Sequence, residues 1–211
     1  MKKKTDQQKA KGSNVRTEKH RLAILASGGG SNTQRFIDYF SEHSKIEISV
    51  IISNTYRAYV LKRAEDAGIP TVVVRKSVWE DKEAIRRLFT SYRVDAIVLA
   101  GYLLLLPPWF IAMFPDRIFN IHPALLPDFG GKGMYGIHVH RAVIDSGAMH
   151  SGITIHLVNE AYDEGKILFQ EKLDVLPVDT PESLARRVLE LEHRHYPRVV
   201  ENYLTRLNSS S

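Results

Sequence analysis

The chain has 211 residues, 44% hydrophobic and 25% charged, a composition that supplies an ordinary globular core and a soft expectation of one domain. It has no cysteine, which excludes disulfide frameworks, thiolate chemistry and cysteine-ligated zinc. No apolar run reaches the roughly 18 residues of a membrane span, so no membrane partner is expected.

The net charge of +5 invites a nucleic-acid partner, but eight of the 29 basic residues and two of the 24 acidic ones lie in residues 1–21. That stretch carries the whole positive excess and the remainder is close to neutral, so no nucleic-acid partner is expected either. Residues 1–20 are Lys, Gln, Thr, Ser, Asn and Gly with almost no apolar side chains, and they read as a basic, disordered tail. No apolar segment follows the charges, as a secretory signal would need. Residues 208–211 read as a frayed end. The folded body is expected over 21–207, in the reducing cytoplasm.

The body alternates strand and helix signals. Leu22–Ala26 is a short apolar run that stops at Ser27-Gly28-Gly29-Gly30. Phe36, Ile37 and Phe40 mark one face of a helix. Ile46–Ile52 is a β-branched strand. Tyr59–Ala67 is helical, ending at Gly68 before Pro70. Thr71–Val74 is a strand, and Glu80–Tyr92 a helix with Ile85, Leu88 and Phe89 inward. Val94–Ala100 and Arg117–His122 are strands. This order predicts a Rossmann-like α/β domain, a mostly parallel sheet with helices on both faces. Gly152–Val158 and Ile167–Val175 are strands joined by only eight residues, too few for a helical crossover, so they form an antiparallel C-terminal pair. The last helix starts at Thr180-Pro181-Glu182, as N-cap, first turn and acidic first turn. Leu184, Val188 and Leu191 face inward, and Pro197 should kink it.

Ser27–Asn32 joins the first strand to the first helix. Glycines there let a ligand approach the backbone, and free amides at a helix start attract an anion. A dinucleotide loop would need a third glycine or alanine where Thr33 stands, and an acid where the second strand ends at Ser53-Asn54. Neither is present, so a single phosphate fits Gly30, Ser31 and Asn32 better; a plain tight turn with a polar cap is the other reading. Asn120 and His122, two apart on a strand, share a face at the edge where ligands of such sheets bind. An amide donor beside an imidazole suits acyl transfer to an amine. Taken alone, the pair is also an ordinary hydrogen-bonded strand end, His156 an ordinary core histidine, and Glu192 a solvated helix acid. An aspartate in the loop 159–165 could pair with His122 and raise its pKa. His138 and His140 form an H-x-H without a third ligand, so no metal is expected.

Asn120-Ile121-His122-Pro123-Ala124-Leu125-Leu126-Pro127, with Gly152-Ile153-Thr154-Ile155-His156 and Asp163 downstream, resembles the folate-dependent formyltransferases. The Gly-Ser-Asn loop narrows the resemblance to the phosphoribosylglycinamide formyltransferases, over about residues 21–205. The resemblance implies transfer of a formyl group from 10-formyltetrahydrofolate, a co-substrate, to the amine of glycinamide ribonucleotide in purine biosynthesis. In it Asn120 binds the formyl oxygen, His122 is the general acid/base, and Asp163 raises the His122 pKa and orients it. His156 is a supporting residue. Gly30, Ser31 and Asn32 take the phosphate and Glu192 contacts the glycinamide end. The folate lies along Leu103, Leu104, Leu105 and Leu106, with Lys82 near its glutamate tail. The implied assembly is a monomer or weak homodimer.

Two departures from the family pattern stand out. The segment from Asp128 to His138 is long and carries Gly130, Gly131, Gly133, Gly136 and Lys132, which suggests a mobile flap or an extra anion contact. Leu104 stands where an arginine is common, so folate contacts there are expected through the backbone. A formyltetrahydrofolate hydrolase would share the Asn-His-Asp set but lack the Gly-Ser-Asn loop. A sister transferase acting on initiator tRNA would need a basic body.

Overall fold

A computed structural model describes residues 19–161 and 163–207. The expected tail lies outside the described residues up to residue 18, as does all of 208–211. The first strand begins at His20, two residues before the apolar run, because His20 already pairs with Ile46.

Seven strands form one sheet in the order β3-β2-β1-β4-β5-β6-β7. They are β1 (His20–Ala26), β2 (Ile46–Ser53), β3 (Thr71–Val73), β4 (Ala96–Leu99), β5 (Ile118–His122), β6 (His150–Leu157) and β7 (Ile167–Asp174). β1 to β5 pair in parallel; β6 is antiparallel to β5, and β7 to β6. The expected α/β sheet and antiparallel C-terminal pair are both present.

The helices cover both faces. They are α1 (Ser31–Phe40), α2 (Val60–Asp66), α3 (Lys82–Ser91), α4 (Pro108–Ile111), α5 (Ile137–Asp145) and α6 (Pro181–Leu207), with a 3-10 turn over Lys76–Glu80. Alternation along β1 divides the core. Leu22, Ile24 and Ala26 face Phe36 and Phe40 of α1 and Leu184, Val188 and Tyr196 of α6. Ala23 and Leu25 face Ile85 and Phe89 of α3, Trp79 and Phe110. Each large apolar side chain fully buried here contributes about 1.5–3 kcal/mol.

α6 starts as its sequence prescribes. The Ser183 N–H donates to Thr180 Oγ1 at 3.2 Å, and the Thr180 N–H to Ser183 Oγ at 2.9 Å. The helix continues unbroken across Pro197, whose ring is buried. Tyr196 beside it donates its hydroxyl to the Leu99 carbonyl at 3.1 Å and packs edge-on against Phe36, tying the helix to the sheet. Asp81, not Glu80, opens α3: its carboxylate accepts the Ala84 N–H at 2.9 Å.

Candidate active site

The segments after β1, β4 and β5, neighbouring parallel strands, all leave the sheet at its carboxyl edge. The first is the glycine loop. Gly30 is the N-cap of α1 at φ 70°, left-handed and without a side-chain cap. A Cβ there would lie 2.5 Å from Val60 Cγ2, so only glycine fits between the loop and α2. The loop carbonyls are held in turn: Gly28 O accepts from Val60 N, Gly29 O from Arg63 Nε at 2.8 Å, and Gly30 O from Gln34 N at 2.9 Å. The α1 start is thus a candidate anion cradle of backbone amides.

The Asn32 side chain is buried, with Nδ2 donating to Glu192 Oε2 at 2.6 Å. The Asn32 side chain is therefore a partner of Glu192, and its backbone N–H and second Nδ2 hydrogen remain as donors. Glu192 is buried, at 8% exposure, not solvated as a helix acid read alone would be. Burial pushes its pKa up to about 7, against the opposing amide of Asn32.

The segment after β4 is anchored to the glycine loop, since Leu103 N donates to Ser27 Oγ at 2.9 Å. The four leucines divide by alternation. Leu103 and Leu105 are exposed, at 63% and 57%, whereas Leu104 packs inward and Leu106 is buried. Lys82, at the start of α3, sits 5.9 Å from the Trp109 ring centroid, just beyond this segment.

The segment at and after β5 holds the titratable groups. Asn120 pairs in register with His156 across β5 and β6, so the two share a face. His156 Nδ1 lies 2.9 Å from the Leu157 carbonyl, which can only accept, so Nδ1 carries a proton. Asn120 Nδ2 lies within hydrogen-bond reach of His156 Nε2, at 3.2 Å. Nδ2 carries two hydrogens, so at least one is left for another acceptor.

His122 is 3% exposed. Its Nε2 lies 2.8 Å from the Phe129 carbonyl and its Nδ1 3.7 Å from Asp163 Oδ2. Asp163 also stands 3.6 Å from His156 Nε2 and accepts the Gly131 N–H at 2.9 Å. Burial raises the Asp163 pKa, but the His156 ring, the Gly131 amide and the charge of His122 together hold it below the ordinary 3.8. The effect of Asp163 on His122 has the sign expected from the sequence, but the net shift does not. Its charge does pull the His122 pKa upward, but burial outweighs it, and the net shift is below 6.5. The arrangement is a neutral imidazole facing a fixed carboxylate, beside an amide donor. It can take a proton and stabilise an oxyanion.

A profile of the formyl transferase family matches residues 20–200. The chain belongs to that family. It is 44% identical over 195 residues to a chloroplastic phosphoribosylglycinamide formyltransferase of Arabidopsis thaliana, covering 90% of this chain and 67% of the relative. A phosphoribosylglycinamide formyltransferase of Haemophilus influenzae is 39% identical over 186 residues, covering 86% of this chain and 85% of the relative. The crystal structure of a phosphoribosylglycinamide formyltransferase from Brucella melitensis superposes with a TM-score of 0.79 at 41% identity, over 88% of this chain and 96% of that one.

Some contributions to the site were not legible in the sequence. Thr154 and Gln170 staple the segment after β5: Leu126 N donates to Thr154 Oγ1 at 3.0 Å, Thr154 Oγ1 to Ala124 O at 2.7 Å, and Gln170 Nε2 to both Thr154 Oγ1 and Leu126 O at 2.9 Å. Phe129, Gly131 and Arg63 act through backbone atoms or on them. Thr154 lies in the Gly152–His156 motif, which does not reveal this staple, and the only signal for Gln170 is its strand alternation with Leu168. His138 and His140 lie on α5, one exposed and one buried, so they do not converge. Among the described residues no three potential metal ligands stand together. Lys132 is exposed on its loop.

Proposed function

We propose that this chain transfers the formyl group of 10-formyltetrahydrofolate to the amine of 5-phosphoribosylglycinamide, a step of de novo purine biosynthesis. The observation that carries the reading is the grouping of the Asn120 amide, the His122 imidazole and the Asp163 carboxylate at the same sheet edge as a glycine loop with free amides. The identity to the plant and bacterial phosphoribosylglycinamide formyltransferases supports the choice of substrates.

In this reading the phosphate binds the amides of Gly30, Ser31 and Asn32. Glu192 receives the glycinamide end. The folate lies along Leu103 to Leu106, reading backbone groups, with Lys82 towards its glutamate tail. The amine attacks the formyl carbon, and the carbonyl electrons move onto oxygen. The free Asn120 Nδ2–H holds that oxyanion. His122 takes the proton from the amine nitrogen and returns it to N10 of the folate as the carbon–N10 bond breaks. Asp163 stabilises the imidazolium that exists between the two transfers, and His156 orients Asn120. The cytoplasmic location and the monomer or weak dimer expected from the sequence go with this proposal.

The test mixes enzyme, 10-formyl folate and glycinamide ribonucleotide and follows folate absorbance. Amine-dependent release of tetrahydrofolate is expected. Equal release without the amine would make the chain a hydrolase instead.

A further inference from the structure

We propose that the backbone carbonyl of Phe129 is a positioning group for the reaction: by accepting the Nε2 proton of His122 it makes Nδ1 the nitrogen that exchanges a proton with the substrate amine. The inference rests on the formyl-transfer reading and assigns the glycine-rich segment a task within it.

A carbonyl oxygen can only accept, so at 2.8 Å the His122 nitrogen facing it must carry the hydrogen. A neutral imidazole has one N–H, so Nδ1 holds the lone pair. That lone pair points towards the side where Asp163 Oδ2 stands, 3.7 Å away. The separation is longer than a hydrogen bond, and a carboxylate facing a lone pair gains nothing. Once Nδ1 receives a proton, the same carboxylate faces a cation. Asp163 is therefore placed for the protonated ring, and only with the tautomer that Phe129 selects.

The loop serves both partners at once. Phe129 C=O takes His122, and two residues on Gly131 N–H takes Asp163. Both residues take left-handed backbone, Phe129 at φ 55° and Gly131 at φ 92°. A non-glycine residue at positive φ is strained, which fits a backbone held for function. A Cβ on Gly130 between them would lie 2.6 Å from Leu126 Cδ2, so that methyl would have to shift, and in ordinary contact with Asp163 Cβ at 3.5 Å.

The proton path balances. The amine proton goes to Nδ1 as nitrogen bonds to the formyl carbon, Nε2 keeps its hydrogen on Phe129 O, and the Nδ1 proton leaves on N10 as that bond breaks. His122 ends in the tautomer in which it began.

The experiment is nitrogen-15 NMR of histidine-labelled full chain without substrate, with the His122 signals assigned by their loss in His122→Gln. The expected spectrum shows a protonated Nε2 and a pyridine-like Nδ1. A protonated Nδ1, or fast averaging of the two, would overturn the proposal whatever the turnover assay says. Gly130→Ala supplies the kinetic arm. It should mix the tautomers and lower kcat by roughly tenfold or more, within the range of general acid–base contributions, while KM for the ribonucleotide stays within about twofold. A lowered kcat with a pure Nε2–H tautomer, or mixed tautomers with full kcat, would also overturn it. The wild-type spectrum decides the matter even where Gly130→Ala fails to fold. Failure of amine-dependent turnover in the wild type would instead remove the formyl-transfer reading and leave the tautomer standing.

Discussion

The two ends of the candidate site are made of different materials. In the proposed reaction the transfer end would rely on side chains from β5 and β6 and the loop after β6: Asn120, His122, His156 and Asp163. The anion end would rely on backbone, the amides of the glycine loop, with the Glu192–Asn32 pair beside α1. Parallel strands leave through loops whose peptide groups are free to face a ligand. An antiparallel neighbour sets two side chains in register on one face, as Asn120 and His156 are. The sheet changes from parallel to antiparallel at β5, where the amide and imidazole stand. The lesson is that truncating side chains should silence one end and scarcely touch the other.

The sharpest break of this contrast is Asn120→Ala. Losing an oxyanion donor should lower kcat by about 10²–10³, while KM for the ribonucleotide changes little. A fall in KM-governed binding with kcat intact would reverse the assignment of the two ends. Asp163→Asn comes next. It removes the charge that pulls the His122 pKa upward, so the acid limb of kcat, already below 6.5, should move to lower pH. The rate should fall with it by about tenfold to a hundredfold. An acid limb that moved to higher pH would contradict the burial-dominated electrostatics.

At the anion end, Gly30→Ala should raise KM for the ribonucleotide about tenfold with kcat retained. The left-handed φ and the Val60 contact make it cost on the order of 1–3 kcal/mol of stability as well. Glu192→Gln tests the buried acid. Folded Glu192 has its pKa raised from 4.5 to about 7, so its contribution to stability is full below 4.5 and is lost as pH rises towards 7. The glutamine variant should melt above the wild type at about pH 8 and level with it near 4.5, by on the order of 3 kcal/mol at the upper end. Equal melting at both pH values would mean that Glu192 is not desolvated. Ser31→Ala is the smallest change expected, at most about threefold in KM, since the amide and not the hydroxyl is the donor there.

The sheet was legible because its strands are rich in β-branched and apolar residues, such as Ile46 to Ile52 with only Glu47 and Ser49 polar, and end at glycine or polar loops. α5 was not. Its two histidines invite reading as a metal pair, yet Val139, His140 and Val143 are its buried face, a helical spacing hidden by the glycines before it. α4 is a single turn after two prolines, too short for periodicity to show. In the site, Asn120 and His122 were legible from the period of a strand. The burial of Glu192 was not, because it depends on α1 and α6 coming together 160 residues apart. Nor was the net His122 shift, since the sequence names the aspartate that raises it but not the packing that lowers it. The Phe129 carbonyl has no sequence signature at all, because every residue has one.

The three held carbonyls of the glycine loop bear on how the anion end would be entered. A loop of glycines in solution samples many conformations, and fixing each residue costs roughly 1–2 kcal/mol of backbone entropy. Here Val60, Arg63 and Gln34 fasten consecutive peptides before any ligand arrives. That ordering is completed when the chain folds, so the phosphate meets a preorganised cradle and little of its binding energy is diverted into arranging it. Arg63 thereby couples α2, an element with no place in the chemistry, to the residence time of the substrate.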